Sequence, residues 1–218
     1  MSPTSAEVWA ALSGVCDPEL DRPITDLGFV ASVQVTPVVR VELRLPTYFC
    51  APNFAWLMVA DARDAVSGLP GAGPVSVVLL DHFASDEINA AAFDAAFDTD
   101  GTDPTLSSLR LIFERKAHVA AQERLARCLA PYHDLSAMTL ADAARFAPDA
   151  AAAVARRRSR AGIASAFAVC DDTGAALPPE KLPGWLRFAR TVRVSIDGNA
   201  ALCRGLLETR YGLTRAGP

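Results

Sequence analysis

Hydrophobic and polar residues alternate along the N-terminal part of the chain in patterns that predict both helices and strands. An apolar stripe of Val8, Leu12 and Val15 predicts a helix that begins after Thr4 or Ser5. The alternating segments FVASVQV (29–35) and VVRVELRL (38–45), with a Thr-Pro turn between them, predict a β-hairpin with one buried face. Helical spacing follows over 51–67, VSVVLL (75–80) predicts a third strand, and 81–97 predicts a loop that becomes a helix.

The resulting order, α-β-β-α-β, predicts an α+β fold. We expect a small, mostly antiparallel sheet of about three strands with helices packed on one side. The second and third strands are separated by a helix, so they are expected to pair in parallel through a right-handed crossover.

Beyond residue 97 the composition shifts, and a mostly helical region is predicted. DTDGTDPT (98–105) has the composition of a linker. The predicted elements after it are helices over 104–130, 136–146 and 148–162, a strand RTVRVSI at 190–196, and a last helix at 198–212. We therefore predict two domains, residues 1–97 and 104–218.

Composition and charge limit the classes of function. Hydrophobic residues make up 51% of the 218 residues, and 21 basic against 25 acidic side chains give a net charge of −4. These values predict a soluble protein without a nucleic-acid-binding footprint. Neither a long apolar run nor a basic leader is found, which predicts no membrane span and no signal peptide. The phosphate-binding glycine motifs are also missing, so no nucleotide is expected.

The cysteines point to a reducing compartment. There are five, an odd number, and they are widely spread without a CxxC pair. A disulfide framework or a tetrahedral zinc site would need paired spacing, so reduced thiols in the cytoplasm fit better.

The most distinctive candidate is Cys50 in LPTYFCAP (45–52), where a predicted strand is followed by a predicted helix. Unpaired N–H groups and the helix dipole favour an anion at a helix N-terminus. A thiolate there is both a nucleophile and a soft metal ligand. The alternative is a core cysteine, because free cysteine is among the most buried residue types.

Acidic residues crowd the loop after the first helix. Asp17, Glu19 and Asp26 can border the thiol and bind iron, or serve as turn formers, as Asp before Pro and Asp before Leu-Gly often do. Cys16 is either a second thiol near Cys50 or a core residue that ends the first helix. His82 follows the third strand and is the only histidine in the first predicted domain.

Several of these elements together resemble a known family. The matching residues, in chain order, are Asp17-Pro18-Glu19, then Ile24, Asp26, Leu27, Gly28 and Val30, then Thr47 and Cys50. They resemble the iron–sulfur cluster assembly family that includes PaaD and SufT, whose domain also occurs fused to Mrp-type ATPases. The resemblance covers about residues 5–95. Family members usually have Pro directly after the Cys, whereas here Ala51 intervenes before Pro52.

The resemblance implies a maturation factor rather than an enzyme that turns over a small substrate. Cys50 and Thr47 would be the reactive pair, with Cys50 as metal ligand, and Asp17, Glu19, Asp26 and His82 would border the bound cofactor. The cofactor would be transient iron or an iron–sulfur cluster. The partners would be a client iron or iron–sulfur enzyme, such as an oxygenase component, and an Mrp-type scaffold ATPase. Because clusters normally take several thiolates, the cargo either bridges two subunits of a homodimer or is held briefly with a partner.

Two other hypotheses remain open at this point. A cysteine-dependent hydrolase or transferase would use Cys50 as nucleophile and needs a base such as His82 within hydrogen-bond reach. A non-catalytic adaptor would use the cysteine only structurally. In the C-terminal region, predicted to be a docking module, Glu114 and His118 have metal-pair spacing that is also common on a solvated helix face. The basic run RRRSR (156–160) is interpreted as complementing a helix dipole.

Overall fold

The computed structural model describes residues 2–36, 38–94, 104–131 and 133–212. The helices and strands in these ranges are α1 (Ser5–Leu12), β1 (Cys16–Asp17), β2 (Arg22–Pro23), β3 (Val30–Gln34), β4 (Val39–Arg44), α2 (Pro52–Ser67), β5 (Val75–Leu80), α3 (Ser85–Asp94), α4 (Pro104–Leu129), α5 (Leu140–Phe146), α6 (Pro148–Arg160) and α7 (Leu182–Tyr211). Within the described residues, none of the helices is both long enough and apolar enough to cross a bilayer.

The sheet has three strands in the order β3-β4-β5. β3 and β4 are antiparallel, with Val33 opposite Val41, and β4 and β5 are parallel, with Val41 opposite Val77. The predicted α+β class and the parallel pairing of the second and third predicted strands are confirmed. In the segment predicted as a loop, β1 and β2 form a further short antiparallel pair.

The alternation in β4 divides its side chains between the core and the outer face. Val39, Val41 and Leu43 are buried, with exposed fractions of 1% or less. On the other face, Glu42 accepts a hydrogen bond from Ser32 Oγ at 2.8 Å and forms an ion pair with Arg40. Helix α2 packs against β5 and adds its own buried side chains to this core. Strand β4 is therefore the central strand of the sheet, and the loop before α2 follows directly from it.

Local capping signals place several helix ends, and Thr4 is one of the two caps predicted for α1. Thr4 caps α1 in a capping box with Glu7, and Thr139 caps α5 by accepting from Asp142 N–H. Proline opens α2 at Pro52 and α6 at Pro148, where its missing N–H costs nothing.

The strand predicted at 190–196 is wrong, because this segment lies inside α7. Its period-2 alternation does not describe its burial, since Ile196 is fully buried while Val194 is 52% exposed. Arg193 and Asp197 form an i,i+4 ion pair at 2.9 Å, a contact that helical spacing brings onto one face. Tertiary packing here overrides the strand preference of β-branched residues.

The chain divides into two compact units. One comprises the described residues up to Leu106 together with those from Asn199 onward, and the other is Ser107–Gly198. The last turns of α7 therefore belong to the first unit. Most of the predicted linker, residues 98–103, lies outside the described residues, and the predicted domains 1–97 and 104–218 stay a prediction.

Candidate functional site

The loop between β4 and α2 holds Cys50 and Thr47 together. Cys50 is half-buried and directly precedes Ala51, the N-cap residue of α2. Thr47 Oγ1 and Cys50 Sγ are 3.2 Å apart, a hydrogen bond in which either group can donate. A Thr three residues before the Cys thus becomes a direct partner of the sulfur because the loop turns back on itself.

His82 braces the main chain of this loop. The ring is buried, with 3% of the residue exposed, and Nε2 lies 2.7 Å from the carbonyl oxygen of Cys50. Because a carbonyl only accepts, Nε2 carries the proton and donates. Nδ1 then accepts from the N–H of Ala84 at 3.2 Å. Both ring nitrogens are therefore engaged with the backbone, and the imidazole is held as its Nε2–H tautomer.

Three exposed aromatic side chains flank Cys50. Tyr48, Phe49 and Phe83 are 48%, 77% and 46% exposed. The rings of Tyr48 and Phe49 meet edge to face at 5.1 Å, and those of Phe49 and Phe83 lie 5.8 Å apart. Phe83 N–H also donates to the carbonyl of Tyr48 at 3.1 Å, which joins the two loops. We call these three residues the aromatic patch.

The acidic residues of the 17–26 loop take different positions. Asp17 is buried, and its Oδ1 accepts from the N–H groups of Glu19 and Leu20 at 2.9 and 2.8 Å. Burial raises the pKa of Asp17 to about 6, against the lowering effect of these two hydrogen bonds. Glu19 is half-buried, whereas Asp26 is exposed and accepts a long hydrogen bond from Thr25 Oγ1 at 3.5 Å.

Cys203 of α7 lies near this site, although no motif in the sequence marks it as a site residue. The pKa of Cys203 is raised to about 11, chiefly by burial and then by the negative charges of Asp17, Cys50 and Glu19. Cys203 and Cys50 both pack against the core of the first unit. The signal available in the sequence was helical periodicity, because Cys203 shares an apolar stripe with Leu207.

The last turn of α7 is attached to the strand ends beside this site. Arg210 donates to the carbonyl oxygens of Leu45 and Asp81 at 3.1 and 2.6 Å. The Tyr211 hydroxyl donates to the Asp81 carboxylate at 3.3 Å. The guanidinium of Arg44 lies 4.8 Å from the centre of the Tyr211 ring. These contacts hold the helix that presents Cys203.

Cys16, His118 and the basic run complete the candidates from the sequence. Cys16 is part of β1, opposite Pro23. His118 is buried in the second unit, where its ring contacts Gln122 and Arg158. Arg158 belongs to the basic run at 156–160 and lies in the last turn of α6, where the dipole interpretation puts it, but its side chain is only 5% exposed.

Comparisons with known proteins agree with the resemblance seen in the sequence. The family model described as "Iron-sulfur cluster assembly protein" matches residues 5–77. An uncharacterized protein of Methanocaldococcus jannaschii, MJ1129, is 33% identical over 88 residues, which cover 39% of this chain and 90% of that relative. No solved structure matches the chain. The matched segment contains the acidic loop, Thr47 and Cys50, and through it the chain belongs to the iron–sulfur cluster assembly protein family.

Proposed function

We propose that this chain is an accessory factor that delivers iron or an iron–sulfur cluster to a client metalloenzyme, with Cys50 as the thiolate that holds the cargo. The observation that carries the proposal is the 3.2 Å contact between Thr47 Oγ1 and Cys50 Sγ. The Thr47 hydroxyl is placed to donate a hydrogen bond to a deprotonated sulfur, and thiolate is the form that binds iron. Half-burial leaves the sulfur within reach of a partner.

The cargo would need ligands beyond this chain. Among the described residues, no three His, Cys, Asp or Glu side chains are arranged to hold a metal ion. Clusters take several thiolates, so the other ligands would come from the client or from a second copy of the chain. Incomplete coordination suits a factor that gives its cargo away. Family resemblance favours an oxygenase component as client and an Mrp-type ATPase as scaffold.

The aromatic patch supports a protein as the partner. Tyr48, Phe49 and Phe83 expose apolar surface beside the reactive sulfur. Exposed aromatic clusters are typical of protein-binding surfaces, because aromatic side chains contribute much of the binding energy in such interfaces.

A cysteine hydrolase or transferase is less well supported. It needs a base that can take the proton of Cys50. His82 is close to Cys50, but its Nε2–H donates to the Cys50 carbonyl and its Nδ1 accepts from Ala84. The imidazole therefore has no nitrogen left to accept a proton from the thiol.

Anaerobic reconstitution tests the role of Cys50. The full chain is incubated with Fe²⁺ and sulfide, and bound iron, bound sulfide and visible absorption are measured. Cys50→Ser should hold roughly tenfold less iron than the wild type, because it lacks the thiolate ligand. Cys128→Ser, which changes an exposed cysteine of α4, is the matched control and should bind iron like the wild type.

A second measurement separates the maturation factor from an adaptor. The gene for this chain is deleted, and the strain is complemented with either Cys50→Ser or Cys128→Ser. The activities of iron–sulfur enzymes are then compared between the two complemented strains. Equal activities with Cys50→Ser and Cys128→Ser would contradict the proposal and favour a non-catalytic adaptor.

A further inference from the structure

The second unit contains a cavity that the proposed function does not use. Its volume is about 440 Å³, within the range of roughly 300–1,000 Å³ that is usual for small-molecule sites. The walls come from α4, from α7 and from the segment between α6 and α7. Trp185, Phe188 and Val192 supply an apolar side, and His118, Gln122 and Cys170 line a polar side.

A buried positive charge lies behind the polar side. Arg158 is 5% exposed and donates three hydrogen bonds. The acceptors are Nε2 of His118 at 3.3 Å, the carbonyl of Ser165 at 3.0 Å and the sulfur of Cys170 at 3.5 Å. None of them is a carboxylate, although guanidinium stays charged at all relevant pH values. Burying a charge without an opposite charge is costly, so this arrangement favours an anion nearby.

Hydrogen-bond polarity at His118 and Gln122 identifies a point where the described residues supply two donors and no acceptor between them. Because Arg158 Nε–H donates to His118 Nε2, the proton of the neutral ring lies on Nδ1. Burial, with the nearby charge of Arg158, lowers the pKa of His118 to about 4, so the ring is neutral at pH 7. Gln122 Oε1 accepts from Cys170 N–H at 2.7 Å, which orients the amide.

The Gln122 amide nitrogen therefore faces Nδ1–H of His118 at 3.4 Å, and both groups are donors. Neither can satisfy the other, and each residue is only 1% exposed. Two donors at this separation can share a single acceptor oxygen. Since both side chains line the cavity, that oxygen would belong to a molecule inside it.

We propose that this cavity binds a small organic carboxylate with a flat apolar body. One carboxylate oxygen accepts from His118 Nδ1–H and Gln122 Nε2–H, next to the charge of Arg158. The apolar body lies against Trp185 and its neighbours. Arg115 and Lys116 also line the cavity, together with Asp171 and Asp172. Asp171 is committed to a turn, because its Oδ1 accepts from Thr173 and Ala175.

The proposal is tested with benzoate, 2-naphthoate and octanoate as probes, each paired with its neutral amide. Binding to the full chain is measured by calorimetry and by the fluorescence of Trp185, with thermal denaturation as a check. At least one carboxylate should bind saturably at one site. Its amide should bind roughly tenfold more weakly, because hydrogen bonds to a charged group are the stronger ones.

Gln122→Glu is the diagnostic variant. It keeps the oxygen that accepts from Cys170 N–H and replaces the amide nitrogen with carboxylate oxygen beside His118 and Arg158. This internal anion should satisfy the donors, raise the melting temperature and weaken probe binding roughly tenfold or more. Gln34→Glu makes the same change at an exposed position of β3. It should leave the melting temperature and the affinity for the probe unchanged.

Three results would overturn the proposal. They are the failure of all three carboxylates to bind more tightly than about 5 mM, equal binding of carboxylate and amide, and unchanged binding to Gln122→Glu. If Gln122→Glu does not fold, Val119→Phe, which fills the cavity from α4, replaces it and should abolish binding. These readouts do not involve iron, so they are independent of the function proposed for Cys50.

Discussion

Asp17 and His82 were predicted to border the bound cofactor, and both make backbone contacts in the structure. His82 donates to the carbonyl of Cys50 and accepts from Ala84 N–H. Asp17 accepts from two N–H groups of its own loop. Each side chain is buried, so its polar atoms need these partners to offset lost hydration. Whether either also contacts cargo stays a prediction.

The raised pKa of Asp17 predicts a specific pH dependence of stability. The folded state releases this proton near pH 6 and the unfolded state near 3.8. Between these values the folded state holds more protons, so the free energy of unfolding falls as pH rises from about 4 to 6 and stays lower above it. Asp17→Asn keeps the acceptor oxygen without the charge. We expect it to be more stable than the wild type at neutral pH by on the order of 3 kcal/mol, and equally stable well below pH 3.8, where the carboxyl is protonated in both states.

Urea denaturation at several pH values measures this difference. Asp26→Asn is the matched control, because Asp26 is exposed, and its effect should stay within about 0.5 kcal/mol. An Asp17→Asn variant that follows the wild type at every pH would contradict the buried-carboxylate explanation.

At the scale of elements, the end of α7 completes the first unit. Leu207 is 2% exposed, and a Cβ added to Gly28 would lie 3.2 Å from Leu207 Cδ2. Gly28 also has a φ of +76°, a conformation that favours glycine. Glycine at position 28 thus has a backbone reason and a packing reason, and the second involves the helix that carries Cys203.

Leu207→Ala should therefore destabilise the first unit. Removing a buried leucine side chain costs about 2–5 kcal/mol, the sum of lost transfer free energy and the cavity left behind. Leu202→Ala changes the same helix at a position that is 61% exposed and should have little effect. The free energies of unfolding of both variants are measured by denaturation, followed by the fluorescence of Trp9 and Trp56. Equal losses of stability in the two variants would show that the end of α7 is not part of this core.

At the scale of the whole molecule, the candidate activities lie in different units. Cys50, Thr47, His82 and the aromatic patch belong to the first unit, and the proposed carboxylate cavity belongs to the second. Substitutions in one unit can therefore be used as controls for the other.

Phe49→Ser tests the aromatic patch as a docking surface for the client. Phe49 is 77% exposed, so the substitution should leave folding and iron binding in reconstitution unchanged. Enzyme maturation in the deletion strain should fall roughly tenfold, the effect expected when an aromatic anchor of an interface is removed. Phe146→Ser, at a position 58% exposed in the second unit, should mature clients like the wild type. Loss of iron binding by Phe49→Ser would contradict a pure docking role.

Much of the fold was predictable because its signals are local. The alternation around Val41, the cap at Thr4 and the proline at the start of α6 each act within a few residues. The strand predicted at 190–196 failed for the converse reason. Val194 and its neighbours follow a strand period, but the packing of α7 decides their conformation.

The sequence by itself determined the α+β order of elements, the family and the position of Cys50 before a helix, because these depend on short-range pattern. Only the tertiary structure decided that Cys203 lies near Asp17, Glu19 and Cys50, although it follows Cys50 by some 150 residues in the chain. It also decided that Arg158 is buried against His118. Such contacts arise from how distant elements pack, and the energy that selects them comes from burial across the whole unit rather than from local periodicity.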